Sequence, residues 1–95
     1  FAPVRMGFMA RMSDTKGNEV QNTSYSAGMI IKGVTHDGPA YNAGLRDDDI
    51  ITAVGNDAVR SQYDLTSVME KYHSGDNVKV TILRNGKELI KEVRL

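Results

Sequence analysis

Asp37-Gly38-Pro39-Ala40-Tyr41-Asn42-Ala43-Gly44-Leu45-Arg46-Asp47-Asp48-Asp49-Ile50-Ile51-Thr52-Ala53-Val54 is the stretch on which the fold turns. It reads as a turn, one short helix, a second turn and a strand. Gly38 and Pro39 break what precedes them, and Pro39 suits the first turn of a helix, where its missing N–H costs nothing. Ala40, Ala43 and Leu45 are small or apolar at helical spacing, and Gly44 is a natural C-terminal stop. Ile50, Thr52 and Val54 then alternate with Ile51 and Ala53, as a strand would. So short a helix does not stand alone; it must lay its alanine face closely on a sheet.

Upstream, Met29–Val34 is a nearly continuous apolar run, which predicts a central strand. Before it, Ser13–Gly28 is polar, with Val20 and Tyr25 as its anchors. This is long for a connection in a compact domain. A mobile excursion is expected, with a frayed hairpin whose tip is Lys16-Gly17-Asn18. At the start, Val4, Met6, Phe8, Ala10 and Met12 form a period-two set, read as one strand interrupted at Gly7. A glycine there marks a bulge or a close backbone approach.

Downstream, Ser61 is an N-cap candidate with Asp64 in the capping-box place, opening a helix over Gln62–Tyr72. Leu65, Val68 and Tyr72 share one face, and Gln62, Thr66 and Met69 share the adjacent one. Two strands follow, Val78–Leu83 and Lys87–Leu95. Asn85-Gly86 between them is a type I′ hairpin signal. The sum is mainly β with two helices: a partly open β-barrel or sandwich of about five or six strands, capped by one short and one longer helix.

Twelve basic residues balance twelve acidic ones across 95 positions. A neutral surface argues against nucleic-acid and anionic-membrane partners. No cysteine is present, which removes disulfides and thiolate chemistry. No apolar run is long enough to span a bilayer, so membrane insertion is not expected. The chain starts at Phe1 rather than Met and is read as a single domain over 1–95 cut from a larger protein.

Gly38-Pro39-Ala40, Ala43-Gly44-Leu45, Asp49 and Ile50-Ile51, in that order, resemble the signature of the PDZ domains carried by bacterial proteases. Two departures matter. Family members usually place Gly just before the Asp, where this chain has Asp48; that position calls for φ > 0, which Asp tolerates better than most residues. The family's Asn-Gly after the strand is here Gly55-Asn56, and both residues accept left-handed geometry.

The resemblance implies a role for the N-terminal stretch. Arg5-Met6-Gly7-Phe8 is similar to the PDZ carboxylate-binding loop, and its position fits the permuted strand order of bacterial members. The strand through Met9 and Ala10 would then pair with a peptide, an anion nest followed by strand addition to a sheet edge. Gln62, Thr66 and Met69 would face it from the longer helix, with Gln62 at the position that selects a ligand side chain. The implied partners are peptide or protein C-termini and the parent protease domain. The domain itself would be non-catalytic and need no cofactor, any zinc belonging to the parent's catalytic domain. The implied host is an exported bacterial peptidase, periplasmic, cell-envelope or secreted. Zinc aminopeptidases of the M28 type have similar counterparts to Met6-Gly7-Phe8-Met9 and Val54-Gly55-Asn56; HtrA-like serine proteases are the second option.

Plainer readings stand beside these. Arg5–Phe8 on pattern alone is an edge strand with a glycine bulge, and Met6, Phe8, Ala10 and Met69 could be core. Ser26 or Ser61 with His36 or His73 and an Asp could be imagined as a triad, but both histidines sit beside turn residues. Asp47-Asp48-Asp49 invites a calcium reading; it lacks the alternating ligands and distal Glu of an EF loop, and a turn in which Asp49 caps backbone N–H groups fits better. A different class of function also fits: a structural interdomain module whose groove is filled by its own chain, with Ser13–Gly28 as the filler.

Overall fold

The decisive stretch folds as its residues dictate. Helix α1 (Pro39–Asn42) starts on Pro39 and ends on Ala43, with Gly44 at φ 98° just beyond. Leu45 N–H reaches back to Ala40 C=O and Gly44 N–H to Tyr41 C=O, each at 3.0 Å, the paired bonds of a Schellman ending. Ala40 and Leu45 are thereby driven fully into the core. Asp48 adopts φ 73°, as its place before Asp49 requires.

The computed structural model describes residues 2–4 and 7–95. Among them one antiparallel sheet holds β1 (Ala2–Val4), β2 (Phe8–Ser13), β3 (Gly28–Lys32), β4 (Ile50–Val54), β5 (Asp57–Ala58), β6 (Asn77–Arg84) and β7 (Lys87–Arg94). The order is β1-β2-β3-β4-β6-β7, with β5 paired to the end of β4. Helix α2 (Gln62–Met69) covers the face where Phe8, Ala10, Met29, Ile31, Ile51, Val54, Val80 and Ile82 form one core with Leu65 and Val68. The mainly β architecture with one short and one longer helix is therefore as expected.

Several details differ from the sequence reading. The N-terminal stretch is two strands rather than one: the chain reverses at Gly7 (φ 88°) and β1 folds back on β2. A left-handed glycine turns a chain through an angle that a bulge would not. In β4 the register shifts between Ile51 and Ala53, so simple alternation fails. The bulge at Thr52 rephases the strand, and Ile51 and Val54 both reach zero exposure. The α-helix predicted to Tyr72 stops at Met69, where Lys71 N–H to Val68 C=O and Tyr72 N–H to Met69 C=O tighten the last turn. The turn types follow their residues. Asn85-Gly86 has positive φ at both positions (54° and 78°), the I′ pattern; Gly55-Asn56 has it only at Gly55 (62°), the II′ pattern.

Candidate functional site

Gly7 opens the site. Its carbonyl accepts a hydrogen bond from Thr35 N–H at 2.7 Å, which ties the reversal to the turn leading into α1. A Cβ added at Gly7 would lie 3.3 Å from Thr35 Cβ. Positive φ and close approach thus both require glycine at this position. The neighbouring members of the expected carboxylate loop, Arg5 and Met6, lie outside the described residues.

Strand β2 leads away from Gly7 with period-two burial: Phe8 and Ala10 are in the core, whereas Met9 is 40% exposed on the opposite face. The Met9 side chain therefore does not share a wall with Ala10. Met69 is also placed differently from expectation. It is buried in the core with Leu65 and Val68, because its position on α2 falls on the inner face once the helix docks.

Ala10 and Gln62 do come together. Both line a groove of about 490 Å³ that runs from Ala10-Arg11-Met12 on β2 to Ser61-Gln62-Tyr63 at the start of α2. That size is within the usual range for ligand sites. The helix start is set by Ser61, whose hydroxyl accepts from Asp64 N–H at 3.1 Å. Asp64 reaches back to Arg60 N–H at 3.2 Å, one residue before the usual capping-box partner. Gln62 Nε2 donates to Thr66 Oγ1 at 3.3 Å. Its Oε1 is buried with no partner. A buried acceptor without a donor is costly, and here it borders the groove.

The third wall comes from the Ser13–Gly28 stretch, which lines the groove rather than filling it. Glu19, Val20, Gln21 and Thr23, from the connection between β2 and β3, line the same groove. That connection is tied down rather than frayed. The Asp14 carboxylate accepts from Lys16 N–H, Asn18 N–H and Asn18 Nδ2, and Val20 N–H returns to Met12 C=O at 3.1 Å. The hydrogen bond from Asn18 N–H, ahead of an opposing desolvation effect, holds the Asp14 carboxyl below its usual range. The tip of this hairpin is Thr15-Lys16-Gly17, one residue before the expected Lys16-Gly17-Asn18. At the rim, Arg11 pairs with Glu19 at 2.6 Å. Asn22 caps a 3-10 turn over Thr23–Tyr25. Of the two expected anchors, Val20 is half-buried on this wall, whereas Tyr25 is exposed.

The other candidates are accounted for locally. Ser26 Oγ donates to Gly28 C=O at 3.0 Å and Ser61 caps α2, while His36 and His73 are exposed. The three aspartates diverge to different partners. Asp47 accepts from Val34 N–H at 3.0 Å, Asp48 pairs with Lys32, and Asp49 is 2% exposed. Asp49 accepts Arg46 N–H at 2.8 Å and both Nε and Nη2 of Arg84, at 2.8 and 2.7 Å. This pairing raises the Arg84 pKa. Arg84 also donates to Gly44 C=O at 2.7 Å, so the cluster fastens α1 to the β6–β7 hairpin.

A family profile described as PDZ domain matches residues 4–95. The serine protease Do-like HtrA of Lactococcus lactis subsp. lactis (strain IL1403) is 34% identical over 93 residues, which is 97% of this chain and 23% of that protein. The chain thus spans under a quarter of that relative's length. Two solved structures superpose with TM-score 0.73 over 94% of the chain. One is the HtrA-type protease AlgW with decapeptide (20% identity, 27% of that chain covered). The other is the HtrA3 PDZ domain bound to the phage-derived ligand FGRWV (18% identity, 81% covered). Of the two hosts the resemblance implied, these relatives point to the HtrA-like serine proteases; none of the three is an aminopeptidase. By fold, by its glycine-gated strand and by a family match over nearly all its length, the chain belongs to the PDZ domain family.

Proposed function

We propose that the chain is one PDZ domain of a larger, exported HtrA-type serine protease, and that it binds peptide chain ends for that host. The domain itself is not an enzyme and takes no cofactor. A peptide would add to the β2 edge with its terminal carboxylate at the Arg5-Met6-Gly7-Phe8 loop. Its preceding residues would then run past Met9 and Ala10 toward Gln62 and Thr66. Met69 supports that wall from beneath. The observation that carries this reading is the groove of about 490 Å³ between β2 and the start of α2, with Ala10 and Gln62 on its lining. Kinship with proteins whose solved structures hold peptides supports it. Gly7 to Met12 spans about 17 Å at roughly 3.3 Å per residue, room for about five peptide residues.

Ordering a short peptide costs about 1–2 kcal/mol per residue, and each backbone hydrogen bond returns about 0.5–1.5 kcal/mol. These nearly cancel. Affinity then comes from the carboxylate and one or two side chains, giving roughly micromolar binding, about −8 kcal/mol. Titration with a heptapeptide library, each member as free acid and as C-terminal amide, tests this. Binding by free acids only is expected; equal binding of the amides would remove the carboxylate loop from the account. A second reading, a closed structural module, is favoured by one observation: β1 already pairs with β2. Absence of binding to every library member would select it.

A further inference from the structure

We propose that Ala2–Val4 is a tethered pseudo-ligand: a strand of the chain's own that holds the β2 edge in place of an incoming chain end and must leave for one to bind. The inference rests on the reading of β2 as the peptide-docking edge. The sheet order puts β1 on the side of β2 that β3 leaves vacant. It runs antiparallel, with Ala2 opposite Ala10, Pro3 opposite Met9 and Val4 opposite Phe8. Its C-terminal residue therefore lies at the Gly7 reversal, the polarity a docked chain end would have.

Pro3 sets the bonding pattern. It has no N–H, so Pro3–Met9 is the wide pair of the ladder, and the bonds form at Ala2–Ala10 and Val4–Phe8. The Ala10 N–H consequently faces β1. Proline is tolerated here because β1 is an edge strand. Three paired residues with a proline among them return little beyond the ordering they require. The β6–β7 hairpin, with eight pairs, is a different case. The short connection between β1 and β2 keeps the local concentration of β1 high. A peptide of seven residues would run past Ala10 toward the groove at Met12 and Gln62. Apparent affinity for such a chain end is reduced by the fraction of molecules in which the edge is occupied.

Val4→Pro removes the N–H that β1 donates to Phe8 and leaves β2 untouched. The probe is an acetylated heptapeptide, Gly-Ser-Gly-Phe-Ala-Pro-Val, with a free carboxylate. Its affinity is measured alongside amide exchange at Ala10 in the unaltered chain and the variant. We expect Ala10 to be protected in the unaltered chain and unprotected in the variant, and the heptapeptide to bind the variant about three- to tenfold more tightly. Equal Ala10 exchange in the two proteins, or equal affinity, overturns the inference while leaving the docking reading in place. Loss of Ala10 protection with no binding to either protein instead overturns the docking reading, and the competition with it.

Discussion

Gly7→Val separates recognition from folding. Gly7 sits at φ 88°, and an L-residue in that region costs about 1–2 kcal/mol. The new Cβ would lie 3.3 Å from Thr35 Cβ, so Thr35 must give way. That strains the 2.7 Å bond from Thr35 N–H to Gly7 C=O, worth about 1 kcal/mol. Together these cost about 2–4 kcal/mol, against a total of about 5–14 kcal/mol for a domain of this length. The variant therefore remains folded at room temperature, with a melting temperature lower by roughly 8–30 °C. Circular dichroism checks the fold, and titration with free-acid peptides checks the site. Binding should fall at least tenfold with the far-UV spectrum retained. Unchanged affinity would show that the Gly7 reversal takes no part in recognition. An unchanged melting temperature would refute the steric argument itself.

Other substitutions probe the frame around the site. Gly28→Ala would put a Cβ 2.2 Å from Ile51 C=O; β3 and β4 must separate, and the urea midpoint should drop by the equivalent of about 3 kcal/mol or more. Asp49→Asn keeps the shape but leaves the partly exposed Arg84 without its charge partner, which should cost about 1–3 kcal/mol by thermal denaturation. Peptide affinity of the folded variant should not change, since Asp49 is remote from the groove lining. Asp14 carries a pH dependence. Its folded pKa is lowered, chiefly by the hydrogen bond from Asn18 N–H. Its contribution is therefore present above the ordinary Asp range and is lost as pH falls through the folded value. Amide protection at Lys16 and Asn18, corrected for intrinsic exchange rates, should decline below about pH 4, and Asp14→Asn should remove that step.

Much of the fold was legible because its signals are local. Pro39 and Gly44 bound α1, Asp48 takes its left-handed turn, Asn85-Gly86 turns the last hairpin, and Ser61 caps α2. Each is decided within about five residues by backbone sterics and side-chain reach. Gln62 was placed at the groove by helical spacing together with the PDZ resemblance, and the structure puts it on the groove lining.

What tertiary structure alone decided depends on what lies across the sheet. Ile51 C=O forbids a side chain at Gly28, and the Thr52 bulge brings Ile51 and Val54 to one face. Arg84 finds Asp49 from 35 positions away. Docking of α2 turns Met69 inward, and the Ser13–Gly28 connection becomes a groove wall. Most consequentially, Ala2–Val4 folds back along β2. Its alternating pattern suits either a continuous strand or a hairpin arm, because period two records which face a residue takes and not which strand lies beside it.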